Sequence, residues 1–146
     1  MSGDLPFGMP ARVPGGAWVH QVPEPAARRH DEDDLQRDVC RFLDVALPTG
    51  ATYFAVPNGG KRHVREAARM KGLGLRPGVP DLLVIHDGRA LFVELKTKRG
   101  VMSAAQKAMQ QMLAYCGCTV MLCRTVDDVE QALRNASVPL RATVSA

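Results

Sequence analysis

Pro80-Asp81-Leu82-Leu83-Val84-Ile85-His86-Asp87-Gly88-Arg89-Ala90-Leu91-Phe92-Val93-Glu94-Leu95-Lys96 is the stretch on which the fold turns. Two apolar runs flank Asp87-Gly88, a pair suited to the positive φ angles of a tight hairpin turn, so residues 82–85 and 90–96 are expected to be antiparallel strands. Residues two apart share one face of a strand. Glu94 and Lys96 therefore project to one side, and Val93 and Leu95 to the other. With the turn at Asp87-Gly88, Asp81 falls beside Glu94. Two carboxylates gathered at one end of a sheet repel unless a cation lies between them, and a hard divalent ion such as Mg²⁺ or Mn²⁺ matches an oxygen donor set. The competing reading is an exposed cross-strand salt bridge of Lys96 with Glu94 or Asp81. Against it, the charges interrupt an otherwise apolar strand, and Asp81 directly follows a Pro-Gly-Val-Pro turn.

Working outward, Leu35, Val39, Phe42, Leu43 and Ala46 recur at three and four residues, which predicts an amphipathic helix from Asp33 stopped by Pro48. Asp31, Glu32, Asp33 and Asp34 would form its acidic first turn, favoured by the helix dipole. Residues 52–56 read as a strand leading into the turn Pro57-Asn58-Gly59-Gly60. A basic helix follows at about 64–71, ended by Gly72 and Gly74. Beyond the hairpin, residues 103–115 are helical by period, with Ala105, Met109, Met112 and Leu113 offered to the core. Residues 119–123 read as a strand, and 126–133 as a closing helix with acidic Asp127 and Asp128 in its first turn. This order predicts an α/β fold, a mixed central sheet flanked by helices. Residues 1–29 are expected to be a flexible or locally ordered Pro/Gly-rich arm, 30–135 the domain, and 136–146 a loosely held tail.

With 146 residues, 46% of them hydrophobic, the chain suits one domain that needs no disulfide or structural metal. A net charge of +4 favours an anionic partner. Lys61, Arg62, Arg65, Arg69, Lys71 and Arg76 are answered locally only by Glu66, and two readings stand: a solvated helix face or a phosphate-contacting surface. Cys40, Cys116, Cys118 and Cys123 lack paired zinc spacing, and buried reduced thiols are expected. No apolar run is long enough to span a membrane and no export signal opens the chain, so a cytosolic location is expected. Ala55 stands where a Walker loop would need its first glycine.

Asp81 followed by Glu94-x-Lys96, with Pro80 leading, resembles the motif of the PD-(D/E)xK nuclease superfamily. Four motifs in order resemble its VRR-NUC family over about residues 32–133: Pro57-Asn58-Gly59-Gly60, Arg76-Pro77-Gly78-Val79-Pro80-Asp81-Leu82, Val93-Glu94-Leu95-Lys96, and Gly100 with Ser103-Ala104-Ala105-Gln106. The resemblance implies a restriction-endonuclease-like core and metal-dependent hydrolysis of phosphodiester bonds in DNA, with branched, flap or junction substrates. Stand-alone members resemble phage or bacterial enzymes of DNA processing, and larger members carry the domain as a repair nuclease. Asp81, Glu94 and Lys96 would be catalytic. An acid four residues ahead of a glutamine on the first helix would join the metal site. Glu32 before Gln36 fits, with Asp31, Asp33 and Asp34 as near competitors, and one helical turn puts Glu32 and Gln36 on one face. Glu32, Asp81, Glu94 and the Leu95 backbone carbonyl would hold one or two Mg²⁺ or Mn²⁺ ions. Gln106 would be an accessory residue near Lys96, while Ser103-x-x-Gln106 also reads as a helix capping box. Asn58, Gly59 and Gly60 either bring backbone N–H groups to a phosphate or merely turn the chain. Lys61, Arg62, Arg65 and Arg69 would neutralise phosphates. A homodimer gripping both arms of a junction is expected, with targeting by unidentified partners. A noncatalytic binding module of this fold and an RNA-directed nuclease remain as alternatives.

Overall fold

The computed structural model describes residues 11–12, 18–19, 24–57 and 64–144, with residues 24–30 described as backbone. Near the N-terminus β1 (Ala11–Arg12) pairs antiparallel with β2 (Trp18–Val19). The domain proper runs α1 (Glu24–Ala46), β3 (Ala51–Ala55), α2 (Val64–Gly72), β4 (Leu82–His86), β5 (Arg89–Leu95), α3 (Ala104–Tyr115), β6 (Thr119–Cys123) and α4 (Val126–Asn135). Strand order is β3-β4-β5-β6; the first two pairings are antiparallel and β5 with β6 is parallel. This is the expected mixed sheet flanked by helices.

The hairpin forms where the sequence places it. Asp87 and Gly88 both adopt positive φ, at 50° and 70°, and pair His86 with Arg89 and Leu82 with Val93. Such a two-residue turn matches the right-handed twist of the strands it joins. Alternation then buries Leu82, Val84, Leu91, Val93, Leu95, Met121 and Cys123 on one sheet face. There they meet Val39, Phe42, Leu43, Ala46 and Leu47 at the end of α1 and Val129 and Leu133 of α4. The opposite face is covered only in part, and Phe54, Ile85 and Leu122 remain 48%, 37% and 42% exposed.

Several expectations need correction. Helix α1 begins at Glu24, so Asp31 to Asp34 lie inside the helix rather than in its first turn. The dipole is felt mainly in the first turn and does not explain them. Two of the acids on this helix are instead balanced locally, Asp34 by Arg37 at 2.7 Å and Asp38 by Arg41 at 3.0 Å. On α3, Ala105 is exposed and Met112 is 58% exposed. The half-buried stripe is Gln106, Met109, Gln110 and Leu113. Two polar glutamines occupy inward positions, which disguises the phase of the helix from hydrophobicity alone. Cys123 is buried, but Cys116 is exposed because it caps α3 just before the turn at Gly117. All four thiols are free. Residues 136–144 are not loosely held: Val138 is 3% exposed, Arg141 donates from its backbone N to Ala46 and from Nε to Leu47, and the Val144 N–H reaches Glu130.

Candidate active site

Asp81 is fixed from two directions before its chemistry is considered. Its backbone carbonyl accepts from the Val56 N–H at 2.8 Å, and its Oδ2 accepts from the Leu95 N–H at 2.8 Å. The first contact ties it to the end of β3 and the second extends the β4–β5 ladder by one residue. Glu94 lies near the end of the central strand β5, opposite Leu122 of β6, and is 1% exposed. Lys96 follows directly and continues the pairing, its N–H donating to the Cys123 carbonyl at 3.0 Å. Its side chain turns to the same face as Glu94 and is only 10% exposed.

The Lys96 ammonium stands 3.0 Å from Glu94 Oε1 and 3.9 Å from Glu32 Oε1. Helix geometry thus singles out Glu32 among the four consecutive acids, since Asp31, Asp33 and Asp34 are exposed. Gln106 Nε2 donates to Glu94 Oε1 at 2.6 Å, while Gln106 Oε1 accepts from the Ser103 N–H at 2.8 Å. The capping box is thus formed, and the same side chain also reaches the carboxylate that pairs with Lys96. Ser103 Oγ completes the capping box by accepting from the Gln106 N–H.

Burial is at odds with one of the two sequence readings of Glu94-x-Lys96, the exposed salt bridge, although the two groups do pair. An exposed salt bridge would leave both groups in water, whereas Glu94 and Lys96 are 1% and 8% exposed. Burial is the main force pushing the Glu94 carboxyl above its usual range; the Asp81 charge adds to it, Lys96 opposes it, and Glu32 adds again. Asp81 is likewise pushed up by burial, against the Leu95 N–H and the Lys96 charge. Two buried carboxylates, Glu94 and Asp81, and the more exposed Glu32 therefore share the charge of one ammonium, an arrangement with a net demand for more positive charge. The donor atoms are hard oxygens, which fits Mg²⁺ or Mn²⁺ and not a thiophilic metal. Among the described residues no three His, Cys, Asp or Glu groups already form a metal cluster. Lys96 itself supplies the positive charge between Glu94 and Glu32.

Two residues to which the sequence reading gave no separate role shape this corner. Gly78, at φ +78°, is packed so closely on the start of α3 that an added Cβ would run into the Ala105 carbonyl group. The turn carrying Asp81 and the helix carrying Gln106 are thereby held together. Arg124 is the second, and its contacts are taken up below. The signal for Gly78 was present in Pro77-Gly78-Val79-Pro80, but its neighbour on α3 is a tertiary fact.

Other candidates are not drawn into the cluster. Arg65 and Arg69 lie on α2, which is exposed throughout except for a half-buried Met70, and neither makes a hydrogen bond or ion pair among the described residues. Asn58, Gly59, Gly60, Lys61 and Arg62 fall outside the described residues. No helix among the described residues is long and apolar enough to cross a membrane.

Comparison with known proteins bears on the family and the fold. The model of the VRR-NUC domain family matches residues 24–127. A solved structure described as "VRR_NUC domain protein" is 23% identical, covering 72% of this chain and 86% of its own at a TM-score of 0.54. Another, described as "VRR_NUC domain", is 21% identical, with coverage of 71% and 95% and a TM-score of 0.50. At such identities the likeness speaks for the fold, a restriction-endonuclease-like α/β core. No curated protein matches the chain.

Proposed function

The chain belongs to the VRR-NUC family, whose domain is of nuclease type, and on that footing we propose that it hydrolyses phosphodiester bonds of DNA using Mg²⁺ or Mn²⁺. The observation that carries the reading is the buried cluster in which Glu94 meets both Lys96 and Gln106 while Asp81 is locked to the neighbouring Leu95 N–H. Asp81, Glu94, Glu32 and the Leu95 carbonyl are the residues that would hold the ion. Bound there, the ion would polarise the scissile phosphate and make a water more acidic.

The protein's own groups have separable tasks. Lys96 sits within reach of the carboxylates with a three-donor ammonium, suited to orient the attacking water or to meet charge developing on the phosphate. Gln106 holds one Glu94 oxygen through Nε2, and its own carbonyl is fixed by the Ser103 backbone, so Glu94 cannot swing freely. Arg65, Arg69, Lys61 and Arg62, with Asn58, Gly59 and Gly60, would contact phosphates without reading sequence. Branched or flap DNA is the substrate class proposed, gripped by a homodimer. A monomeric mass by light scattering at working concentration would remove the dimer.

The test is cleavage of labelled duplex, single-stranded, flap and four-way-junction DNA with Mg²⁺, Mn²⁺ or EDTA. Wild type should cut only with metal, and Lys96→Ala should lose on the order of 100-fold or more in rate. No cutting of any DNA by folded wild type overturns the reading, and RNA cleavage in its place would change the substrate.

A further inference from the structure

Lys96 is followed by Thr97-Lys98-Arg99-Gly100, a turn closed by the Gly100 N–H donating to the Thr97 carbonyl at 3.0 Å. The turn folds back over the stem of Lys96: a Cβ added to Gly100 would lie 3.3 Å from Lys96 Cδ and 3.1 Å from Thr97 Oγ1. One side chain from elsewhere grips it. Arg124 donates through a single terminal nitrogen to the carbonyls of Thr97 at 2.5 Å and Gly100 at 2.9 Å, with that of Lys98 at 3.4 Å. Among the described residues this guanidinium has no carboxylate partner, so its charge is spent on the turn. Its backbone is fixed in turn, because the Arg124 N–H donates to Asp128 Oδ2 at 2.8 Å inside the α4 capping box. Strands β5 and β6 end side by side at Leu95 and Cys123, which brings Arg124 beside the turn.

We propose that Arg124 is a positioning residue for Lys96: by holding the carbonyls of the 97–100 turn it keeps the turn closed over the lysine stem and the ammonium at the carboxylates. The inference rests on the nuclease reading for its consequence in turnover, but the positioning has a readout of its own. Without Arg124 the carbonyls turn to water, the roof over Lys96 opens, and the ammonium samples positions away from Glu94. Misplacing a reacting group by about 1 Å costs on the order of 100-fold in rate.

Arg124→Ala and Arg124→Lys are to be compared with wild type in the full chain. Two quantities are read: the rate at which acetic anhydride modifies Lys96, followed by peptide mass spectrometry, and kcat and KM on the best-cut DNA. Faster Lys96 modification in Arg124→Ala, a kcat lower by about 100-fold with KM little changed, partial recovery in Arg124→Lys, and partial rescue by millimolar guanidinium support the proposal. Val138→Ala, which trims a buried core residue and leaves the turn and the α4 cap intact, controls for lost stability and should keep wild-type kcat. Unchanged Lys96 modification overturns the proposal, as does faster modification with wild-type turnover, or a loss of rate that Val138→Ala reproduces. If wild type cuts no DNA, the nuclease reading fails, and the modification rates alone decide whether Arg124 positions Lys96.

Discussion

Replacing Gly78 by alanine separates two costs that a glycine can conceal. Gly78 has φ +78°, where an L-residue is strained by about 1–2 kcal/mol. Its Cβ would also collide with the Ala105 carbonyl group and lie 2.7 Å from the Gln106 backbone N. Those atoms belong to the first turn of α3, which cannot bend without losing its capping box. Forcing such a close-packed contact apart costs a further ~1–3 kcal/mol. Gly78→Ala should therefore lose about 2–5 kcal/mol, a large part of the ~5–15 kcal/mol that holds a domain folded. Gly117→Ala is the matched control, since Gly117 has φ +82° and nothing within 4 Å of an added Cβ. It should show the conformational cost alone, about 1–2 kcal/mol. Urea unfolding followed by far-ultraviolet circular dichroism measures both. Equal losses for the two variants would refute the tight packing of the Asp81 turn on α3. A further consequence is kinetic: the displaced Gln106 loses its 2.6 Å bond to Glu94, so the folded fraction of Gly78→Ala should also cut more slowly than wild type.

Glu94→Gln should raise the melting temperature of metal-free protein at neutral pH while abolishing cleavage. The carboxyl is pushed above 4.5 by burial, so its stabilising contribution is present below that pH and lost as pH rises through the folded-state value; the variant's advantage should vanish in acid, and Mg²⁺ should stabilise wild type alone. Ser103→Ala should cost about 1 kcal/mol through the lost cap yet keep most activity, because the Ser103 backbone N–H still holds Gln106; a kcat as low as that of Gln106→Ala would contradict this. Arg65→Ala with Arg69→Ala should weaken binding to duplexes of any sequence and flatten the slope of log K against log salt by about 2, as measured by fluorescence anisotropy; an unchanged slope would take α2 off the DNA.

The hairpin was legible because each of its requirements is local. Asp87-Gly88 tolerates positive φ, and a two-residue turn there admits one register for the apolar runs it joins, which then brings Asp81 beside the Glu94–Lys96 face. Helices α1 and α4 were legible for the same reason, since their apolar stripes match the helical period. What failed depended on neighbours distant in sequence. Helix α3 turns Gln106 inward to Glu94, and Gln110 is half-buried on the same side, so its polarity misstates its buried face. The segment after Asn135 contains Val138, Leu140 and Val144, too few and too scattered to announce that they close the core beside α1. Arg124 carries no signal in the sequence, because nothing near it along the chain reveals three carbonyls converging on its guanidinium.

Stability alone gives no reason for the composition of the Glu94–Lys96 corner. A buried ion pair gains little over apolar residues of the same size, because desolvating two charges cancels most of their attraction. This corner is costlier still, since Asp81 and Glu32 both raise the charge density around Glu94 and one ammonium cannot neutralise three carboxylates. The remaining polar contacts fix orientation without removing that imbalance: the Leu95 N–H holds Asp81, and Gln106 holds Glu94. On the proposed reading, an added cation would relieve that imbalance. The same imbalance should make the protein easier to unfold in EDTA than in Mg²⁺, and should make each neutralising substitution at Asp81 or Glu94 stabilising without metal and silent with it. Calorimetry of wild type, Asp81→Asn and Glu94→Gln under both conditions decides the matter: if metal shifts all three melting temperatures alike, the carboxylates are not what it binds.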